Sequence, residues 1–228
     1  MENNNTNPRL SLVICTLNEA SNVEAILTKI PDYIYEVILV DGHSSDGTVD
    51  IARKIFPRAR IFYQPGKGKG DALKCGYKNA TGDIIITLDA DGATDPALIP
   101  EFIQPLMQGY DFVKGSRFLH GPPLKMSFVH KFGNWVLTTT ANILYRAKYT
   151  DICSGYNAFW KKSIDKIKLE NDGFEMEQEF NVKIKKAGLK VTEVYCLDKG
   201  RIGGRTKVST VKQGLKDWWI IIKERFHA

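Results

Sequence analysis

The chain has 228 residues, 43% hydrophobic and 25% charged, enough to bury a full core in one domain, or one domain with an extension, without covalent staples. Its formal net charge of +6 is moderate and by itself permits nucleic acid, an anionic membrane or a phosphorylated small molecule as partner. Cys15, Cys75, Cys153 and Cys196 form no CxxC pair, which argues against a zinc site, and apolar runs such as WWIII (218–222) fall far short of a bilayer span.

The opening MENNNTNP is polar and is not expected to act as a signal peptide; residues 1–8 are expected to be disordered. Short apolar runs and amphipathic stretches then alternate. LSLVICTL (10–17), YEVILVD (35–41), ARIFYQ (59–64), DIIITLD (83–89) and DFVKGS (111–116) predict strands, with helices over 20–30, 47–56, 69–80 and 96–109. Strands apolar on both faces, alternating with helices, predict an α/β fold: a Rossmann-like, mostly parallel central sheet flanked by helices. Helix starts are marked by Asp46 to Thr48 and by Thr94-Asp95-Pro96, where proline suits a first turn. Beyond about 116 the pattern changes. GPP (121–123) breaks the chain, and an amphipathic segment follows over 127–146. A strand at 156–160, a helix near 175–187, a strand at 189–197, a basic glycine loop at 199–207 and a last helix over 209–226 complete the reading. One domain is expected over 9–208, followed by an amphipathic helix at 209–228 that packs on it or lies at a membrane interface. On that helix Val211, Leu215, Trp218, Trp219, Ile222 and Phe226 share a face, with Lys212, Lys216, Lys223 and Arg225 largely away from it.

In open α/β sheets ligands bind outside the carboxyl ends of the strands, and the polar residues collect there. Strand one ends in Thr16, Asn18 and Glu19, strand two in Asp41 and Gly42, strand three in PGKGKGD with Lys69 and Asp71, strand four in Asp89, Ala90 and Asp91. A dinucleotide fingerprint is excluded by position, because TLNEASN follows the first strand where GxGxxG belongs. GKGKG admits two readings, a flexible basic turn or backbone and lysine contact with phosphate. The carboxylates of DADGATDP are either turn and cap residues or ligands of a hard cation; Asp95, just before Pro96, suits a cap. Arg117 is a surface arginine or a bidentate phosphate clamp. Lys131 is a lysine on an amphipathic helix, usually just solvated; Arg201, Arg205 and Lys207, in a glycine-rich loop, either close over phosphates or are simple surface charge; and His43 reads as a turn residue rather than a catalyst. In FEMEQEF (174–180), Glu175 and Glu179 share a helix face and Glu177 points elsewhere.

The ordered set TLNEASN, VDGHSSDGT, GKGKGDALKCGYKNATGD, LDADGATDP, GSRF and GYNAFWKK resembles the family 2, GT-A glycosyltransferases, nearest the dolichyl- or polyprenyl-phosphate hexosyltransferases, over residues 10 to about 214. Many members read VDDGSxDGT, whereas here Gly42 follows Asp41 and His43 precedes the serines. The resemblance implies a GT-A fold and inverting transfer of a hexose from a GDP- or UDP-sugar to a polyprenyl phosphate. By it, Thr16, Asn18, Glu19, Asp41, Gly42, Lys69, Asp71, Asp89, Ala90 and Asp91 contact the donor, and Asp89 and Asp91 hold Mg²⁺ or Mn²⁺. Arg117, Lys131, Arg201, Arg205 and Lys207 meet the acceptor phosphate, while Asp91, Arg117 and Glu177 form the catalytic set. Glu177 is a general base for a hydroxyl acceptor; a phosphate acceptor needs none, and the acid then orients the sugar. Other readings are a soluble or polysaccharide acceptor, and a non-catalytic sugar-nucleotide-binding protein. Nucleic acid is not expected, and the implied location is the cytoplasm, with peripheral contact at the inner membrane face.

Overall fold

In β1 (Leu10–Thr16), β2 (Glu36–Asp41) and β4 (Ile84–Asp89) successive side chains enter two different cores, the period-two signature of a sheet covered on both sides. Leu12, Ile14, Leu39, Ile84 and Ile86 face one way, Val13, Ile38, Val40 and Ile85 the other. The structure, a computed structural model, describes residues 7–123, 126–204 and 209–227. On the first face lie α1 (Val23–Leu27), α2 (Thr48–Ile55) and α4 (Ile99–Met107), contributing Ile26, Ala52 and Phe102. On the second lie α3 (Lys69–Asn79) and α7 (Met176–Lys186), contributing Leu73, Tyr77, Met176 and Phe180. The four cysteines are free thiols.

With β3 (Arg60–Tyr63), β5 (Phe112–Ser116), β6 (Asn157–Trp160) and β7 (Val191–Tyr195), the sheet has seven strands in the order β3-β2-β1-β4-β6-β5-β7. All neighbouring pairs are parallel except those of β6, which runs antiparallel between β4 and β5. The strand over 156–160 is thus the one that reverses direction, something its own residues do not encode. The helix expected over 20–30 is a single turn and a half, and the Asn22 side chain at its start donates to Glu19 Oε2 (2.6 Å) and does not cap it. The helix expected over 96–109 begins as a 3₁₀ turn, Pro96–Leu98, and Asp95 accepts from Ala97 N (3.1 Å) as the expected cap. A short helix, α6 (Lys161–Ile164), was not foreseen.

α5 (Phe128–Tyr145) and α8 (Thr210–Phe226) lie together over a third core containing Leu137, Ala141, Tyr149, Val182 and Ile221, against which Val191 of β7 packs. α8 packs through Asp217, Ile220, Ile221 and Glu224, so the face carrying Val211, Leu215, Trp219 and Phe226 turns outward.

At the opposite end of the sheet from the strand-end loops, Glu36 is an interior tie. Its Oε1 accepts from Ser11 Oγ (2.6 Å), Thr81 N (2.6 Å) and Thr81 Oγ1 (2.9 Å), and Arg60 pairs with Oε2. Burial pushes this carboxyl up, but the hydrogen bonds outweigh it and bring it down to about 2 from 4.5. A depressed carboxyl stabilises the fold above its unfolded value and loses that contribution as pH falls through the folded one. Glu36→Gln is therefore expected to cost roughly 3 kcal/mol at neutral pH. In urea unfolding the gap to the parent protein should close between pH 4.5 and about 2.

Candidate active site

Parallel register carries the polar ends of β1, β2 and β4 to one rim: Thr16 lies opposite Asp41, and Cys15 opposite Asp89. Asp41 is fully buried. Its Oδ2 accepts from Thr16 Oγ1 (2.8 Å) and Ser44 Oγ (2.6 Å), its Oδ1 from Ser44 N (2.7 Å). Gly42 N donates to Thr16 O (2.8 Å), and a Cβ there would lie 3.1 Å from Gln64 Oε1. Asn18 and His43 hold left-handed backbone (φ 51° and 63°), a conformation non-glycine residues adopt chiefly in turns and functional loops. Asn18 Oδ1 accepts from Ser45 N (2.8 Å), and the His43 ring stacks on Tyr63 at 5.5 Å.

Asp89 and Asp91 follow on the β4 end. Asp91 Oδ1 accepts from Ala93 N (3.0 Å), with Arg201 Nη1 3.9 Å from Oδ2. Burial raises the Asp91 carboxyl above its ordinary value, and the charge of Asp89 raises it further. Two carboxylates that resist sharing a site are matched by a divalent cation. Among the described residues no group of three or more ligating side chains forms, so the pair suits a cation that keeps water and phosphate in its shell. Gly155 backs Asp89, because a Cβ there would lie 2.5 Å from Asp89 Oδ2. The buried Lys114 amine, pushed down by desolvation, donates to Ser154 O (2.7 Å) and fixes that segment. Neither Gly155 nor Lys114 was singled out as a site residue; only the string GYNAFWKK hinted at the first.

The glycines of GKGKG serve packing. Gly70 N donates to Gly173 O (3.1 Å) and Asp71 N to Asp172 O (3.0 Å). A Cβ at Gly68 would sit 2.4 Å from Asp172 O, and one at Gly70 2.6 Å from Met176 Cβ. These backbone donors are engaged with protein carbonyls, so at Gly70 and Asp71 the reading as a backbone phosphate cradle gives way to docking of α3 against α7. Asp71, expected at the donor, accepts from Gly66 N (2.7 Å) and closes the loop. The same docking brings Lys69 between two elements: its Nζ lies 2.6 Å from Asp89 Oδ1 and 3.3 Å from Glu177. Burial opposes its charge, but Asp89 and then Glu177 hold the ammonium above the ordinary lysine value. Of the three acids in FEMEQEF, Glu177 alone is paired with Lys69. Glu179 is buried, accepting from Glu170 N, Asn171 N and Lys183 Nζ, while Glu175 accepts from Gln213.

Arg117 extends the rim beyond β5, but its fork is already filled. Nε and Nη2 donate to the two oxygens of buried Asp151 (2.6 and 3.0 Å), and Nη1 faces Asp198 at 3.5 Å. The segment after β7 crosses the rim. Lys199 N donates to Ala93 O (2.8 Å), Ile202 N to Asp91 O (3.0 Å), Gly203 N to Asn22 Oδ1 (2.7 Å), and Arg201 pairs with Glu19. Ile202 covers Gly92, where a Cβ would lie 2.3 Å from its Cδ1. Lys131 stands apart from the carboxylates, in a cleft of about 430 Å³ lined by Phe118, Asn134, Trp135, Thr138 and Tyr149. Arg205 and Lys207 lie outside the described residues.

Residues 11–168 match the family described as Glycosyl transferase family 2. Glycosyltransferase AglJ of Haloferax volcanii is 32% identical over 181 residues, 78% of this chain and 59% of its own. Dolichol-phosphate mannosyltransferase of Pyrococcus furiosus is 30% identical over 218 residues, 88% of this chain and again 59% of its own. The chain thus spans 59% of the length of each of these two relatives. Among solved structures, glucosyl-3-phosphoglycerate synthase from Mycobacterium tuberculosis with Mn²⁺ and UDP-glucose superposes with a TM-score of 0.74 at 21% identity, over 96% of this chain and 79% of that one, a likeness of fold.

Proposed function

The chain belongs to glycosyl transferase family 2, and from that premise we propose that it moves a hexose from a GDP- or UDP-sugar to a polyprenyl phosphate, with inversion at the anomeric carbon. The observation that carries the donor half is the convergence of Asp41, Asp89 and Asp91 on one rim of the sheet. Thr16, Asn18, Glu19, Asp41 and Gly42 form the nucleoside side. Mg²⁺ or Mn²⁺ on Asp89 and Asp91 supplies the positive charge a diphosphate needs as its bond to the sugar breaks. An acceptor phosphate oxygen attacks the anomeric carbon, the bond to the diphosphate oxygen breaks, and the nucleoside diphosphate leaves. A phosphate monoester with a second pKa near 6 attacks as its dianion and yields no proton, so Glu177 orients the sugar.

The lipid half rests on α5 and α8. Phe128, Phe132 and Trp135 stack along α5 at 6.2 and 5.8 Å, and Phe128 is 79% exposed and Trp135 61%. Leu215 and Trp219 on α8 are 63% and 61% exposed. Trp135 and Lys131 share the cleft, which pairs an apolar lip with a cation, as a lipid phosphate requires. We infer membrane contact at the cytoplasmic face through α5 and α8; no helix among the described residues is long and apolar enough to cross a membrane. Arg201, with Nη1 3.9 Å from Asp91 Oδ2, is the described loop cation nearest the phosphate end. The similarity to a dolichol-phosphate mannosyltransferase supports the same acceptor class.

A second reading, a soluble or glycan acceptor, is favoured by the Glu177 carboxylate standing one lysine away from Asp89. Transfer from radiolabelled GDP-mannose, UDP-glucose and UDP-N-acetylglucosamine to short polyprenyl phosphates, free sugars and glycans separates the two. The expected product is an organic-extractable polyprenyl-phosphate hexose, formed only with Mg²⁺ or Mn²⁺. Transfer solely to a sugar hydroxyl overturns the lipid reading and makes Glu177 the base.

A further inference from the structure

We propose that Lys69 guards the Asp89 side of the cation site, so that divalent cation and nucleoside diphosphate bind as a pair and free cation binds poorly. The inference rests on the reading that Asp89 and Asp91 hold the cation. A lysine near a metal site is commonly free to swing away, but this one is not. It is the first residue of α3, and the next two amides are hydrogen-bonded to Gly173 O and Asp172 O. Close approach of the two backbones at Gly68 and Gly70 leaves that end of the helix no room to shift. The side chain is 15% exposed, its Nζ lies 2.6 Å from Asp89 Oδ1, and both Glu177 oxygens lie 3.3 Å away. The Phe174 ring centre is 5.6 Å from the same atom.

An ammonium held on one carboxylate oxygen of a two-carboxylate site offsets half the charge that would attract a cation. It also repels any cation that approaches the remaining oxygens, in a partly buried place where screening is weak. Glu177 holds the ammonium from the other side, so moving it out into solvent would leave both acids unpaired. A diphosphate reverses the balance. Its negative charges attract both the cation and Lys69, so the three bind together and each strengthens the other two. By linkage, whatever factor the nucleotide adds to cation affinity, the cation adds to nucleotide affinity.

The test is a Mn²⁺ titration followed by the electron paramagnetic resonance signal of the free ion, without nucleotide and with saturating GDP or UDP. For the wild-type chain the nucleotide is expected to tighten Mn²⁺ markedly. Lys69→Met should tighten Mn²⁺ about tenfold in the absence of nucleotide and shrink the nucleotide-dependent gain by a similar factor. Lys69→Arg should behave like wild type. Should Lys69→Met lose its fold by circular dichroism, Lys69→Met with Glu177→Gln removes the orphaned acid and carries the same expectation. Unchanged or weaker Mn²⁺ binding in the lysine-free variant overturns the inference. Asp91→Asn separates the two levels: if nucleotide-dependent Mn²⁺ binding survives it, the cation is elsewhere and both fall. If Asp91→Asn abolishes that binding while the lysine variant matches wild type, the role of Lys69 alone is refuted.

Discussion

Asp91→Asn is expected to lower sugar transfer by about a thousandfold, the equivalent of about 4 kcal/mol of lost charge stabilisation, while the fold survives intact. Asparagine keeps an oxygen for Ala93 N, so the turn after β4 stays closed. It removes a carboxyl that burial and Asp89 already hold above its ordinary value. A carboxyl raised on folding weakens the native state wherever it must ionise, so the variant should melt at or slightly above the wild-type temperature. Stability and activity then move in opposite directions, the signature of a residue kept for chemistry. Steady-state rates with a fixed donor and a thermal melt check both halves. Loss of folding with normal activity in the folded remainder would make Asp91 a structural cap instead.

Arg117→Met should act in the opposite way, lowering unfolding free energy by about 3–5 kcal/mol because it strands a buried carboxylate. Asp151 is fully buried and takes the Arg117 Nε and Nη2 hydrogens on its two oxygens. Replacing both, Arg117→Met with Asp151→Asn, should recover much of the loss, since the unpaired charge is gone. Urea unfolding of the wild type, both single variants and the double variant gives the coupling directly. If Arg117→Met folds as well as wild type and loses only transfer, the guanidinium is a substrate clamp, as its position after β5 suggested from sequence.

The contrast between these residues shows what could be read without a structure. β1, β2 and β4 were legible because their apolar runs are local, and the strand ends identified the rim holding Thr16, Asp41, Asp89 and Asp91. Arg117 and GKGKG were legible as positions only. Their partners, Asp151 in one case and Asp172 and Gly173 in the other, lie far along the chain, and nothing local names them. For the same reason the direction of β6 stayed hidden, since pairing with β4 and β5 is decided by the path between them. The outward face of α8 was misleading. Its apolar stripe faces solvent, while Asp217 and Glu224 on the packed face are buried among neighbours. Periodicity finds a helix face, and only tertiary contact says which face is inside.

The crossed strand order also bears on synthesis. β3, β2, β1 and β4 can pair as soon as residue 89 has left the ribosome, but β5 has no neighbour then, because its partners are β6 and β7. The far edge of β4, with Ile84, Ile85 and Ile86, waits for Asn157–Trp160. At translation rates of about 5–20 residues per second, that wait lasts roughly 3–14 s. Throughout it the nascent chain carries an unpaired apolar strand edge, the kind of surface that captures other strands or calls for a chaperone. The antiparallel strand that completes the pairing of β4 is therefore the one whose late arrival exposes the growing polypeptide to misassociation.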